Sequence, residues 1–283
     1  MKKALLIMLM GACFQAGFAQ EDSTKTAQEV DTIRVGSIII IKKGGDKSEY
    51  DVYKDKGYDY NKKYYRKSNI TTNWLIFDIG YSGFTDKTDY GGAEAQAFLQ
   101  NPNGTPLNSG DFSIKGLGIS NFNLWFFMQK LNLHKHVVNL KYGFGIENTN
   151  YYYKTPLTYV DGGTVYVKRD DVLFSKNKIA ADYFTAPLML NFCTNPDSRN
   201  GGLQLSIGVS GGLLYSARQK QKSDERGKQK QKTDFNLDRW KAAWVAEVGL
   251  GPVKFYGSYS INPLHKYGVE QYPWMAGIRF STF

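Results

Sequence analysis

The sequence has little cysteine and no long apolar run, and both absences narrow the class of protein. Of its two cysteines, Cys13 lies in the N-terminal apolar segment, so a chain that loses this segment keeps only Cys193 and forms no internal disulfide. No later stretch reaches the roughly 20 apolar residues that a transmembrane helix requires. The mean hydropathy of −0.44 is that of a soluble protein. The chain is therefore either soluble or crosses a membrane as β-strands.

The first nineteen residues have the pattern of a secretory leader. Two lysines precede an apolar segment from Ala4 to Ala12, and Gly17-Phe18-Ala19 provides the small residues of a cleavage site. We expect residues 1–19 to be removed from an exported protein of a Gram-negative bacterium. Because the leader holds two lysines and no acidic residue, its loss lowers the formal net charge from +10 to +8. An alternative is a lipoprotein, since Leu9-Met10-Gly11-Ala12-Cys13 loosely resembles a lipobox.

Residues 20–70 differ in composition from the rest of the chain and are expected to form a periplasmic N-terminal extension. The first dozen are polar and have no period, which is typical of disorder. Ile33 to Ile41 is predicted to be one strand. Lys42 to Asp46 has turn composition, and a weaker return run ends at Tyr53, so a short β-hairpin is expected here.

From Trp74 onward, segments of about ten alternating residues are separated by turn-rich stretches. This pattern is typical of a transmembrane antiparallel β-barrel, and we predict an all-β barrel of about eight strands over residues 71–283. A soluble β-sandwich is the alternative, but small inward residues would leave voids in it. The 15% aromatic content suits the interfacial girdles of a barrel. The expected strands are Trp74 to Gly83, Ile119 to Met128, Val138 to Glu147, Ile179 to Phe192, Leu203 to Tyr215, Trp240 to Leu250, Val253 to Asn262 and Pro273 to Phe283.

Connection lengths alternate along these segments and predict the orientation. The short connections are Gln129 to Lys135, Thr194 to Gly201 and Gly251-Pro252, whereas Phe84 to Phe112, Tyr151 to Ser175 and Ala217 to Asn236 are long. Bacterial barrels have short periplasmic turns and long outer loops. We therefore expect the first strand to run outward and both termini to lie in the periplasm.

Charged residues fall on the predicted inward phase of several strands. An eight-stranded barrel is only wide enough for side chains to fill, so these charges are expected to pair and to close the lumen. Asp78 and Arg279 should meet where the first and last strands close the ring, and Lys254 should reach Glu247 diagonally. The full predicted set is Asp78, Lys141, Glu147, Lys241, Glu247, Lys254 and Arg279.

A lysine-rich segment lies in the third long connection. On the outer face its charges would meet the phosphates of lipopolysaccharide, and each basic residue near an anionic surface gains about 1 kcal/mol. The alternative is a disordered, solvated loop, and no nucleic-acid role is expected outside the cell. The predicted contact residues are Arg218, Lys220, Lys222, Arg226, Lys228, Lys230 and Lys232.

Only three histidines are present, which limits metal and enzyme chemistry. His134 and His136 share a predicted turn without a nearby carboxylate or cysteine, and two such ligands make a poor metal site. We predict solvated histidines, no metal and no cofactor. One enzymatic alternative stays open, because His265 lies in a predicted outer loop with Ser260 and Glu270 nearby in sequence.

The last strand ends on an aromatic residue. Gly277, Phe280 and the terminal Phe283 match the spacing of a signal that the outer-membrane assembly machinery reads. Together with Asp31 to Gly36 and Thr185 to Phe192, the ending Gly-Ile-Arg-Phe resembles the PorT-like outer-membrane β-barrel proteins of Bacteroidetes. The resemblance implies a barrel in the cell envelope more than an activity, and the namesake of the group is associated with secretion.

These observations predict a monomeric outer-membrane barrel in contact with lipid and lipopolysaccharide. We expect a structural or binding role and no enzymatic activity. The alternatives are a narrow channel, a lipid-A-modifying enzyme and a secretion-associated envelope component.

Overall fold

The computed structural model describes residues 31–35, 38–42, 50–54, 68–100, 104–116, 118–196 and 202–281. The chain divides into two units at residues 66 and 67. The predicted leader and the terminal Phe283 lie outside the described residues.

The N-terminal unit contains a three-stranded antiparallel sheet in the order β1-β2-β3. The strands are β1 (Asp31–Val35), β2 (Ile38–Lys42) and β3 (Tyr50–Lys54). The prediction of one strand from Ile33 to Ile41 is wrong, because the run folds back and pairs Ile33 with Ile40. A two-residue connection containing glycine separates β1 from β2, which is a common hairpin signal.

Eight strands of the second unit form a closed ring, which confirms the predicted barrel. Each strand is antiparallel to its neighbours, and the last strand pairs with the first to close the ring. Of the residues that the structure describes, no helix is long and apolar enough to cross a membrane. In ring order the strands are β4 (Ile70–Asp86), β5 (Asn121–His134), β6 (Val138–Tyr152), β9 (Lys176–Cys193), β10 (Leu203–Ser223), β12 (Trp240–Leu250), β13 (Val253–Ser260) and β14 (Gln271–Phe280).

The barrel has a turn end, with short connections, and a loop end, with long ones. The predicted turn from Gln129 to Lys135 is shorter in the structure, since β5 continues to His134 and β6 begins at Val138. The loop end carries α1 (Ala93–Phe98), a 3₁₀ turn (Ser109–Phe112), the hairpin β7 (Leu157–Asp161) and β8 (Val165–Arg169), and β11 (Gly227–Gln231).

The prediction that Ala217 to Asn236 is a loop is wrong. β10 continues through Ser223 and pairs with β11, so that residues 217–231 belong to a hairpin that extends the barrel wall, and the segment after residue 231 remains a connection. Lysine and glutamine alternate along both arms of the hairpin. This alternation has the two-residue period of a β-strand, but neither face is apolar. Gln219 and Gln221 turn inward and donate to the backbone oxygen of Leu157.

The outward face of the ring is apolar and exposed. The predicted alternation is confirmed in β6, β10 and β13, where charged and small residues face the lumen. Large apolar side chains this exposed on a folded surface indicate contact with lipid. The exposed set includes Phe77, Phe122, Phe144, Phe184, Leu188, Leu190, Leu205, Ile207, Trp244, Phe255 and Trp274.

Apolar residues also form a core at the loop end. We call α1, the 3₁₀ turn, β7, β8 and the segments 234–237 and 263–269 the cap. Phe98, Leu157, Phe235 and Leu264 from the cap pack with strand residues such as Ile179 in one buried cluster. The long connections therefore fold over the barrel as a packed layer.

Candidate functional site

The lumen is crossed by a network of buried charges that begins where the ring closes. Asp78 on β4 and Arg279 on β14 are directly opposite in the ladder. Arg279 Nε lies 2.7 Å from Asp78 Oδ1, and its Nη2 lies 2.6 Å from Oδ2. The side chains are 0% and 4% exposed for Asp78 and Arg279. This is the two-point geometry in which arginine and a carboxylate bind most strongly.

Neighbouring side chains hold this pair in place. Trp125 Nε1 and Asn123 Nδ2 donate to Asp78 Oδ2 at 2.7 Å and 3.1 Å. The guanidinium of Arg279 lies 4.9 Å from the centre of the Trp125 ring and 5.5 Å from that of Tyr256. Sequence reasoning missed these three partners, although all occupy inward positions of their strands. The pair is thus enclosed by aromatic faces and hydrogen-bond donors.

The network continues from Arg279 across the lumen. Arg279 Nη1 donates to Glu247 Oε1 at 2.8 Å, and Lys141 Nζ donates to both oxygens of Glu247 at 2.8 Å and 2.7 Å. Glu247 lies on β12 and Lys141 on β6, three positions away in the ring, so this contact crosses the lumen. Lys254 is opposite Gly249, as predicted, and it donates to Gly251 O at 3.2 Å.

A second ion pair lies nearer the loop end. Lys241 Nζ is 2.8 Å from Glu147 Oε2, which also accepts a hydrogen bond from Thr185 Oγ1 at 2.9 Å. A cavity lined by Trp125, Glu147 and Arg279, among others, has a volume of about 20 Å³, which is room for about one water molecule. The structure therefore brings all seven predicted charges into the lumen, where they are buried.

The cap buries His265, and the prediction of a solvated loop histidine is wrong at this position. Its ring stacks on Tyr159 at 5.8 Å between centroids and packs on Phe98. Tyr159 Oη lies 3.1 Å from His265 Nε2 and 3.0 Å from Tyr153 Oη. The partners come from connections more than 100 residues apart, which no local pattern of sequence could indicate. His134 is exposed at the turn end, as predicted.

The enzymatic trio of His265, Ser260 and Glu270 is not assembled. Within the described ranges, Ser260 Oγ and His265 Nδ1 have no hydrogen-bond partner. Glu270 is exposed, and the other nitrogen of His265 is engaged by Tyr159. The histidine therefore acts here as a packing residue of the cap.

Acidification is expected to loosen the cap. Burial lowers the pKa of His265 to about 3, against a smaller opposing effect of the Asp86 carboxylate. Since the ordinary value is about 6.5, the stability contributed by neutral His265 is complete above pH 6.5 and is lost as the pH falls toward 3. Each pH unit in this window costs up to about 1.4 kcal/mol. Hydrogen-exchange protection factors of Tyr159 and Leu264 should fall between pH 7 and pH 5.

Two glutamine variants provide the controls for this measurement. His265→Gln removes the titrating group and should abolish the pH dependence, whereas His136→Gln, in the turn after β5, should retain it. Cap protection that does not change with pH in the native chain would contradict the assignment.

Of the predicted basic residues, five lie on the extended strands, Arg226 lies in the turn between β10 and β11, and Lys232 follows β11. Arg218 forms an ion pair with Asp182, and Arg226 pairs with Asp170 at 2.9 Å. Lys222, Lys228, Lys230 and Lys232 are exposed, and Lys220 is half-buried. The two arginines thus have structural partners, and the lysines form an outward surface.

Of the predicted assembly residues, Gly277 and Phe280 lie on β14. Phe280 is exposed on the outward face. A Cβ atom on Gly277 would lie 2.2 Å from the backbone oxygen of Ile79 across the ladder. Gly277 therefore has a packing role at the seam, which is separate from any recognition role.

Comparison with known families adds to this geometry. The family model described as outer membrane protein beta-barrel domain matches residues 90–266, more than half of the chain. The chain belongs to this outer membrane beta-barrel family. No curated protein matches the chain. The family match places the protein in the outer membrane as an integral barrel. It covers six of the eight barrel strands, and β4 and β14, which carry the Asp78–Arg279 pair, lie beyond its limits.

Proposed function

We propose that this protein is a sealed outer-membrane barrel that anchors the folded cap at the cell surface, with a structural or binding role. The observation that carries the proposal is the charge network from Asp78 through Arg279 and Glu247 to Lys141, which spans the lumen. An eight-stranded ring leaves room only for side chains, and these side chains are mutually bonded. The ring closes within one chain, which supports a monomer.

Purified protein in a planar bilayer is expected to show no steady conductance. A variant with residues 158–168 replaced by two glycines removes most of the β7–β8 hairpin and opens the cap. It should also be silent, because the network closes the lumen beneath the cap. Steady conductance of the native protein would favour the narrow channel, and conductance of the trimmed variant alone would assign the seal to the cap.

We infer that the loop end faces the outside of the cell. Short turns in the periplasm and long outer connections are the rule for bacterial barrels. Cys193 is buried, so single-cysteine labelling has a low background. On intact cells, a membrane-impermeant maleimide should label Lys228→Cys at the loop end, whereas Val137→Cys at the turn end should react only after lysis. The reverse pattern would invert the topology.

The absence of enzymatic activity is part of the proposal. Support comes from His265, whose Nε2 is hydrogen-bonded to Tyr159 and whose burial keeps it neutral. We expect no turnover of labelled lipid A by the folded protein, and sustained turnover that His265→Gln abolishes would favour the enzyme instead.

The PorT-like resemblance supports a place in the Bacteroidetes envelope. Thr185 and Arg279 belong to two of the segments that carry the resemblance. They donate hydrogen bonds to the lumen carboxylates of Glu147 and Asp78. We propose that these two residues serve the interior of the barrel, so that a secretion-associated role would depend on other surfaces.

A further inference from the structure

Six lysines form a regular lattice on the outward face of the extended wall. In direct register, Lys178, Lys220 and Lys230 form one row. Lys176, Lys222 and Lys228 form the next row. We call these six residues the basic wall. Like charges directly opposite on neighbouring strands are destabilising, so this arrangement costs stability unless anions lie between the lysines.

The outward direction of the wall depends on a β-bulge in β10. The register shifts between Leu214 and Ser216, which reverses the phase of the strand. Below the shift, Val209 is on the exposed apolar face, and above it the lysines take that face. Without the bulge, Lys220 and Lys222 would point into the core of the cap. Bulges commonly re-aim side chains in this way.

Protein carboxylates do not neutralise the wall. Asp182 and Asp170 are engaged by Arg218 and Arg226, and the only acids within the hairpin itself, Asp224 and Glu225, are exposed in its turn. Within the described part of the chain, none of the six lysines forms an ion pair with a carboxylate. Five of the six are exposed or half-buried and therefore available to an external anion, whereas Lys178 is buried, with 8% of its surface exposed.

A tyrosine fixes one edge of the wall. The ammonium groups of Lys178 and Lys176 lie 5.0 Å and 5.9 Å from the centre of the Tyr152 ring. Lys178 Nζ also donates to the side-chain oxygen of Asn150. These contacts hold the ammonium of Lys178 in one position at the buried edge of the wall.

The height of the basic wall above the apolar band of the barrel indicates which class of anion it meets. On β9 the outward residues from Phe192 up to Phe184 are apolar or small, then come the Asp182–Arg218 pair and the lysines. An apolar band of such a barrel is about 25 Å tall, so the wall begins where the lipid acyl region ends. With the loop end outside, the molecules at this level are outer-leaflet glycolipids.

We propose that the basic wall binds the phosphate groups of lipopolysaccharide. The placement of the basic wall outside the cell rests on the proposed function, whereas the arrangement of its six lysines rests on the observed strand register. Four of these lysines were expected from the sequence to contact lipopolysaccharide, whereas Lys176 and Lys178 join them only through pairing of β9 with β10. The lattice presents charges on three neighbouring strands, about 5 Å apart, which suits a multiply phosphorylated headgroup.

The test uses fluorescent bisphosphorylated lipid A titrated into the purified, folded protein in detergent at low salt. The wall variant carries Lys220→Gln, Lys222→Gln and Lys230→Gln. The control variant carries Lys87→Gln, Lys115→Gln and Lys154→Gln, which removes the same charge from exposed lysines at the same end. At about 1 kcal/mol for each lysine, affinity should fall on the order of 100-fold in the wall variant and change little in the control.

Two further measurements decide the outcome. Without lipid A, the wall variant should be at least as stable as the native protein, because it has lost like-charge repulsion. This stability measurement distinguishes a loss of binding from misfolding of the variant. Dephosphorylated lipid A should bind the native protein as weakly as the wall variant binds lipid A. Equal losses in both lysine variants, unchanged binding of the dephosphorylated form, or equal affinity for phosphatidylglycerol would overturn the proposal. Inverted cysteine labelling with intact binding would instead overturn the orientation.

Discussion

Replacing Arg279 by methionine is expected to lower the free energy of unfolding of the barrel by about 3–5 kcal/mol, because removal of one partner leaves buried charge without compensation. Arg279 serves two carboxylates, Asp78 and Glu247, and the substitution affects both. Urea unfolding in lipid vesicles, followed by tryptophan fluorescence, measures the change.

The second substitution of the cycle is Asp78→Asn. Combined with Arg279→Met, it should recover part of the loss, since the asparagine carries no charge and Glu247 retains Lys141. Arg239→Met, which removes an exposed arginine at the loop end, should have little effect. Losses that simply add in the double variant would refute a coupling between Asp78 and Arg279.

Replacing Gly277 by alanine is expected to reduce both the folded yield and the stability of the barrel. The new Cβ would lie 2.2 Å from Ile79 O and 2.6 Å from Gly80 Cα. These are backbone atoms of the strand that closes the ring, so relief requires a shift of the ladder. Overpacking of this kind costs about 1–3 kcal/mol, occasionally more. Refolding into vesicles, followed by the heat-modifiable band on a gel, measures the yield.

Gly211 on β10 provides the matched control. No atom lies within 4 Å of a Cβ built on Gly211, so Gly211→Ala should refold normally. Equal refolding of both alanine variants would contradict the packing role of Gly277. Phe280→Ala and deletion of Phe283 separate packing from recognition. They should lower assembly in cells while refolding of the purified protein stays normal.

The alternation of residues along each segment was enough to predict the barrel and to predict that its charged side chains face inward. A period of two forces alternate residues to opposite faces of a strand, and the inward phase could be read for Lys141, Glu247 and Arg279 without a structure. The meeting of Asp78 with Arg279 followed from ring closure, because the first and last strands must pair.

Contacts between distant strands could not be predicted in this way. Glu247 on β12 meets Lys141 on β6 because an eight-stranded ring is small enough for two long side chains to touch across the lumen. The burial of His265 depends on Phe98 and Tyr159, which come from two other connections.

The basic wall shows the same division between sequence and structure. Its β10 and β11 lysines were visible as a charge run, but the alternation of lysine with glutamine was not recognised as a hairpin, because its buried face is polar. Lys176 and Lys178 join the wall through register, and the bulge after Leu214 decides which face the lysines take. Sequence determined which residues alternate, and only the tertiary structure decided which of them meet, because pairing depends on strand register and ring geometry.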